Sequence, residues 1–128
     1  MGFTDAEMQY LDAAMLGRIA TTSTDGEPDV SPVGFRLSAA GITVGGFDIT
    51  ATRKYRNVKS TGMAAFVVDD LVSTDPWQPR GVKVVGSAVI ERSATGAESI
   101  RIRPTTVWSW GINAGAKAHH GRTEKRSF

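Results

Sequence analysis

The stretch of this 128-residue chain richest in groups that could hold a ligand is residues 42–58, ITVGGFDITATRKYRNV. A short β-rich run ends in Gly45-Gly46, a linker follows, and Thr52-Arg53-Lys54-Tyr55-Arg56 opens an expected helix. A glycine pair admits a ligand or another backbone, because no Cβ holds it off. Threonine hydroxyls, free N–H groups and cations gathered at one helix start suit a phosphate. The same residues equally describe a plain strand–loop–helix with a solvated basic face.

The other reactive side chains narrow the chemistry. The chain has no cysteine, and His119 and His120 are its two histidines, both near the C-terminus. That leaves no thiol nucleophile, no Ser-His pair on a scaffold and no histidine set for a metal. Asp5, Glu7, Asp12, Asp25, Glu27, Asp29, Asp69, Asp70 and Asp75 fall mostly at expected caps and turns, where no two of them read as an acid/base couple. No catalytic side chain and no metal ligand is therefore assigned. An enzyme built this way relies on a bound cofactor; the other reading is a binding module.

The elements that must position these groups are mostly strands. Thr4 and Glu7 form a capping box for a helix over residues 3–16, in which Met8, Leu11 and Met15 make an expected core stripe and Gly17 the stop. Strands are expected over 18–22, 30–37 and 42–47, turning at Asp25-Gly26 and at Ala39-Ala40-Gly41. Pro28 and Pro32 push their segments toward a sheet edge or a bulge. A helix over 52–60 ends at Gly62, followed by strands over 63–71, 81–91 and 100–110, with a bulge or bend at Gly86. Residues 72–80, VSTDPWQPR, lack periodicity and read as a loop. The expectation is a mainly β (α+β) fold: a six-stranded barrel or curled sheet, with an N-terminal helix and a short helix after the third strand.

Length and composition bound the class. A chain of 128 residues, 41% hydrophobic and 22% charged, is one soluble globular domain. No apolar run reaches the ~20 residues of a membrane helix, and the acidic N-terminus is not a signal peptide. Without cysteine, a cytoplasmic location is expected. The net charge of +2 comes from Lys117, Arg122, Lys125 and Arg126 in residues 113–128, which read as a basic, solvated, flexible tail after a 1–112 domain. The tail lacks the aromatic interleaving of a nucleic-acid site, so neither nucleic acid nor membrane is an expected partner.

The succession LGRIATTSTDGEPDVSPVGFRL, the Gly-Gly strand end, TRKYRNV, AAFVVDD, DPWQPRGVKVVGSA and IRIRPTTVWSWG resembles the pyridoxamine 5'-phosphate oxidase-like split β-barrel family, over roughly residues 4–112. Within it the chain is most similar to the F420-dependent (deazaflavin) oxidoreductases of actinobacteria, a branch that includes tetracycline-biosynthesis reductases. The resemblance implies an FMN-binding-like split barrel and a homodimer with two cofactor sites at its interface. It implies that Pro32, Val33 and Gly34 run beside the deazaflavin ring through their backbones, and that Gly46 and Phe47 line the next part of the groove. Thr52, Arg53 and Lys54 match the positions that hold the phosphate. Trp77, Gln78 and Pro79 would come from the second chain. Phe47 departs from the small polar residue expected there.

F420 is favoured over FMN, because Arg53, Lys54, Arg56, Lys59 and Arg80 offer more positive charge than one phosphate needs. The implied activity is hydride transfer between reduced F420 and a conjugated small organic molecule. The alternatives are an FMN-dependent oxidase-like enzyme and a protein that binds F420 or FMN without turnover. Trp108 and Trp110 lie two apart on one strand and read as packing residues.

Overall fold

The computed structural model describes residues 2–112 and 123–128. The order is α1 (Asp5–Ala13), β1 (Gly17–Thr22), β2 (Pro28–Val33), β3 (Arg36–Ser38), β4 (Gly41–Val44), a 3₁₀ turn (Ile49–Ala51), α2 (Arg53–Thr61), β5 (Met63–Thr74), β6 (Trp77–Arg92), β7 (Glu98–Trp110) and β8 (Thr123–Ser127). Every pairing is antiparallel, along the path β2-β1-β5-β6-β7-β4-β3. β7 pairs with β4 through Ile100–Ile102 and with β8 through Thr106–Trp110. β2 and β3 end the path without pairing to each other, so the sheet curls into a split, unclosed barrel. The split β-barrel expectation holds, with eight strands in place of six.

Register explains the core. Ile19, Phe66, Val84 and Val107 lie opposite one another across four strands, as do Ala88, Ile102 and Ile42 across three, and all are buried. Their alternation with outward residues is the period of two that a half-buried strand imposes. At Gly86 the register of β6 against β7 shifts, and a Cβ there would sit 1.9 Å from the Arg103 carbonyl oxygen, so only glycine lets the strands close at the bulge. β2 lies at the edge, where its two prolines cost no ladder bond.

Five local expectations are corrected. Residues 30–37 are not one strand, because the chain bends at Gly34-Phe35 between β2 and β3, and Phe35 turns inward to meet Phe66 edge-on at 5.0 Å. Residues 72–80 are not a loop: β5 and β6 continue as a twisted hairpin arm to a turn at a cis Asp75-Pro76 bond. The arm lies beyond the barrel and has no buried face, which is why it lacks periodicity. On α1, Leu11 is buried, but Met8 is 39% and Met15 88% exposed, so there is no methionine core stripe. The helix ends at Ala13, and Gly17 opens β1. Finally, the last residues of the expected solvated tail form β8, while 113–122, with both histidines, lie outside the described residues.

Besides its ladder with β7, β8 is tied to α1 by one side chain. Arg126 makes a two-pronged bond to Glu7, Nη1 to Oε2 at 3.0 Å and Nη2 to Oε1, and donates from Nη2 to the Gly2 carbonyl at 3.2 Å. Glu7 is only 1% exposed. It also completes the Thr4 capping box. Burial alone would raise its carboxyl; bonds from Arg126, the Thr4 N–H and the Ser109 hydroxyl outweigh that and hold it below its ordinary value.

Candidate cofactor and ligand sites

α2 is positioned by its inward side chains. Asn57 Nδ2 donates to Thr21 Oγ1 on β1 at 3.0 Å, both buried, and the Tyr55 hydroxyl donates to Glu98 on β7 at 2.9 Å. Val58 is buried beside them. Thr52 caps the N-terminus: its hydroxyl accepts the Tyr55 N–H at 3.3 Å and donates to the Ile49 carbonyl at 2.6 Å. Gly62, in the left-handed region, closes the other end.

That leaves the helix start able to bind an anion. The Tyr55 N–H is used by Thr52, whereas the N–H groups of Arg53 and Lys54 have no partner within the helix. The first turn holds no acidic residue. Arg53 pairs with Glu27 in the β1–β2 turn at 3.1 Å, with both side chains exposed. Lys54 has no ion-pair partner among the described residues. Two cations placed where the helix dipole is already positive repel it unless an anion joins them. The group fits a phosphate through Lys54, Arg53 and two backbone N–H groups. The Thr52 hydroxyl is occupied with the cap.

The remaining expected site residues lie at the end of β2, just after β4 and on the hairpin arm. Pro32, Val33 and Gly34 lie at the far end of β2 from the Glu27 turn, five residues or ~16 Å along the strand. Val33 faces the core; Pro32 and Gly34 are exposed, and a Cβ on Gly34 would meet nothing within 4 Å. Gly45 and Gly46 also face open space, and Phe47 is fully exposed. Trp77, Gln78 and Pro79 sit on the hairpin arm opposite Thr74, Ser73 and Leu71. Trp77 is 60% exposed, and Leu71 and Val72 beside it are exposed too. Among the described residues, these groups line neither of the two cavities set out next.

One cavity, about 410 Å³, opens on the outer sheet face beside the β1–β2 turn, between Thr22, Ser23, Pro28, Met63, Ala65 and Val85. The other, about 490 Å³, lies between α1 and the base of the arm. Its polar wall is a network that sequence reasoning missed. The Tyr10 hydroxyl donates to Asp70 Oδ1 at 2.6 Å, Arg80 donates to both Asp70 oxygens at 2.8 and 3.1 Å, and the Arg80 guanidinium lies 5.2 Å from the Tyr10 ring centre. Burial, then the bond to Asp70, pushes the Tyr10 hydroxyl far above its ordinary value; Arg80 holds Asp70 low. Tyr10 and Asp70 are 60 residues apart in sequence, and no local pattern links them. Arg80, counted above as a cofactor cation, is engaged here.

A model of the family described as pyridoxamine 5'-phosphate oxidase matches residues 3–122. The chain belongs to the pyridoxamine 5'-phosphate oxidase family. Among relatives, it is 38% identical over 121 residues to a 5a,11a-dehydrotetracycline/5a,11a-dehydrooxytetracycline reductase of Streptomyces rimosus, covering 88% of this chain and 85% of that protein. Among solved structures, it resembles a conserved hypothetical protein of Mycobacterium tuberculosis (TM-score 0.70, 17% identity, 93% of this chain and 96% of that one). It also resembles an F420 reductase (TM-score 0.62, 21% identity, 82% of this chain and 98% of that one). These two likenesses establish the fold.

Proposed function

We propose that this member of the oxidase family is an F420-dependent oxidoreductase, transferring a hydride between the reduced deazaflavin and a conjugated small organic molecule. The observation that carries it is the start of α2: an uncompensated Lys54, Arg53 and two free N–H groups, in a chain 38% identical to a reductase. F420 would supply the hydride. The chain's own residues would bind and orient: Lys54 and Arg53 the phosphate, and the backbone of Pro32, Val33 and Gly34 the ring. No side chain is assigned a proton, so the protein's contribution is position and exclusion of water. Helix cations Lys54, Arg56 and Lys59 support F420 over FMN, since its acidic tail extends past one phosphate. With Arg80 bound to Asp70, that charge argument is weaker than the sequence alone suggested.

The proposal includes a homodimer. Val30, Met63 and Val89 leave apolar surface on the outer sheet face, and the arm offers Trp77 to a neighbour. Trp77, Gln78 and Pro79 would then complete the groove of the partner chain. Absorbance titration with F420 and with FMN tests the cofactor: F420 is expected to bind more tightly. Tighter FMN binding would replace the cofactor, and binding of neither would remove the function. Light scattering should give twice the chain mass at micromolar concentration; a monomer would defeat the shared site.

A further inference from the structure

We propose that the cavity between α1 and the base of the β5–β6 arm is a second binding site, for a molecule of several rings, neutral or cationic, that carries hydrogen-bond donors. Its volume of about 490 Å³ lies in the range that holds a ligand of several rings. The apolar part of the wall comes from Ala13, Ala14, Leu16, Val68 and Ile112. Against it stands a set of acceptors already fixed in place. Asp70 Oδ1 is filled by Tyr10 and Arg80, but Oδ2 accepts one bond from Arg80 and keeps a lone pair. The Tyr10 hydroxyl oxygen, whose O–H donates to Asp70, also offers a lone pair.

Charge selects the class of ligand. Asp69, Asp70 and Arg80 are the charged residues of the lining among the described residues, so the wall carries one net negative charge. Asp69 has no ion-pair partner among the described residues. A phosphate-bearing cofactor is repelled here and drawn to α2, which separates the two sites. The cavity also shares a sheet end with Pro32 and Gly34: Leu16 precedes Gly17, the partner of Val33, and Val68 follows Val67, which pairs with Arg18 and through it aligns with Pro32. Under the hydride-transfer reading, on which this one clause rests, the molecule in the cavity is the hydride acceptor; the cavity's selectivity does not depend on that reading.

The test uses proflavine, a planar tricyclic cation, on the cofactor-free full chain. Fluorescence titration should show saturable binding, with amide NMR shifts concentrated at Tyr10, Ala14, Asp70 and Ile112. Asp70→Asn should weaken it roughly tenfold by removing the charge. Ala13→Trp, at an exposed position that fills the rim, should block it even if Asp70→Asn folds poorly. The anionic dye anilinonaphthalene sulfonate should bind less tightly than proflavine. Shifts elsewhere on the protein, or unchanged proflavine affinity in both variants, would overturn the site. F420 affinity, read separately by absorbance, should be unchanged in Ala13→Trp. Proflavine binding without F420 binding would leave this site standing and remove the cofactor reading; the opposite result would do the reverse.

Discussion

The two helices start alike and end in opposite roles. Each has nine residues and a threonine cap, yet α1 opens with Asp5 and Glu7 while α2 opens with Arg53 and Lys54. The acids of α1 complement its dipole, and Glu7 is further enclosed by Arg126 from the other end of the chain. Its charge is spent on holding the fold. α2 places cations at its positive end, with no acid of its own; among the described residues its one ion pair there is Arg53 with the exposed Glu27. That arrangement costs a little stability in isolation and recovers it when an anion arrives. Charge that is internally balanced serves the fold, and charge left unbalanced at a rigid position is available to a ligand.

The most severe way to break this contrast is to open the α1 pair. Glu7→Ala, or truncation that removes residues from Thr123 onward, should cost about 3 kcal/mol, a fall of roughly 10 °C in Tm, because the two-pronged bond to the buried Glu7 position is lost. Calorimetry on the two variants checks this. The pH dependence has a definite sign. Glu7 is held below its ordinary 4.5, so its contribution is fully present above that value and is lost as pH falls through the lowered one. In Arg126→Ala, burial is no longer offset by that bond and the carboxyl rises; stability should then increase on going from pH 7 to pH 5, where the Glu7 contribution in the parent stays level. Urea midpoints at the two pH values decide it.

On α2 the effects should fall on binding. Lys54→Ala should weaken F420 binding ten- to a hundredfold, with the loss shrinking as salt rises and Tm moving by less than about 2 °C. Equal affinity in parent and variant would reduce α2 to a solvated basic face. Gly34→Ala is a finer probe. A methyl there meets nothing in this chain, so Tm should hold, while a ring lying against the backbone would be displaced and affinity should drop about tenfold. The smallest change, Glu27→Gln, frees Arg53 and should tighten F420 binding two- to threefold, as the release of an exposed pair is worth only ~0.5 kcal/mol.

What could be read from the sequence was whatever a short stretch decides. Thr4 with Glu7, Thr52, and Gly62 set the helix ends; Asp25-Gly26 set a turn closed by backbone bonds; Gly86 set the bulge. What could not be read depends on distant partners or on solvent at both faces. The arm over 72–80 alternates nothing, because neither side is buried. Arg126 finds Glu7 across 119 residues, so its basic neighbourhood looked merely solvated. The Tyr10–Asp70–Arg80 network has the same cause. At α2 the sequence located the cations, but only the structure showed that Arg53 is paired and that the Thr52 hydroxyl is committed to the cap.

The prolines of the outermost strand bear on the behaviour of the protein at high concentration. Pro28, Val30 and Pro32 occupy alternate positions of β2, and two of the three lack an N–H. A row with such gaps is a poor template for another strand, so the unclosed side of the barrel resists growth into fibrils although it is a free edge. Exchange of both prolines for threonine would restore the missing donors and should make that side adhesive, seen as turbidity and thioflavin fluorescence at concentrations where the parent stays clear. The seam that leaves Pro32 and Gly34 exposed thus carries its own protection against self-association.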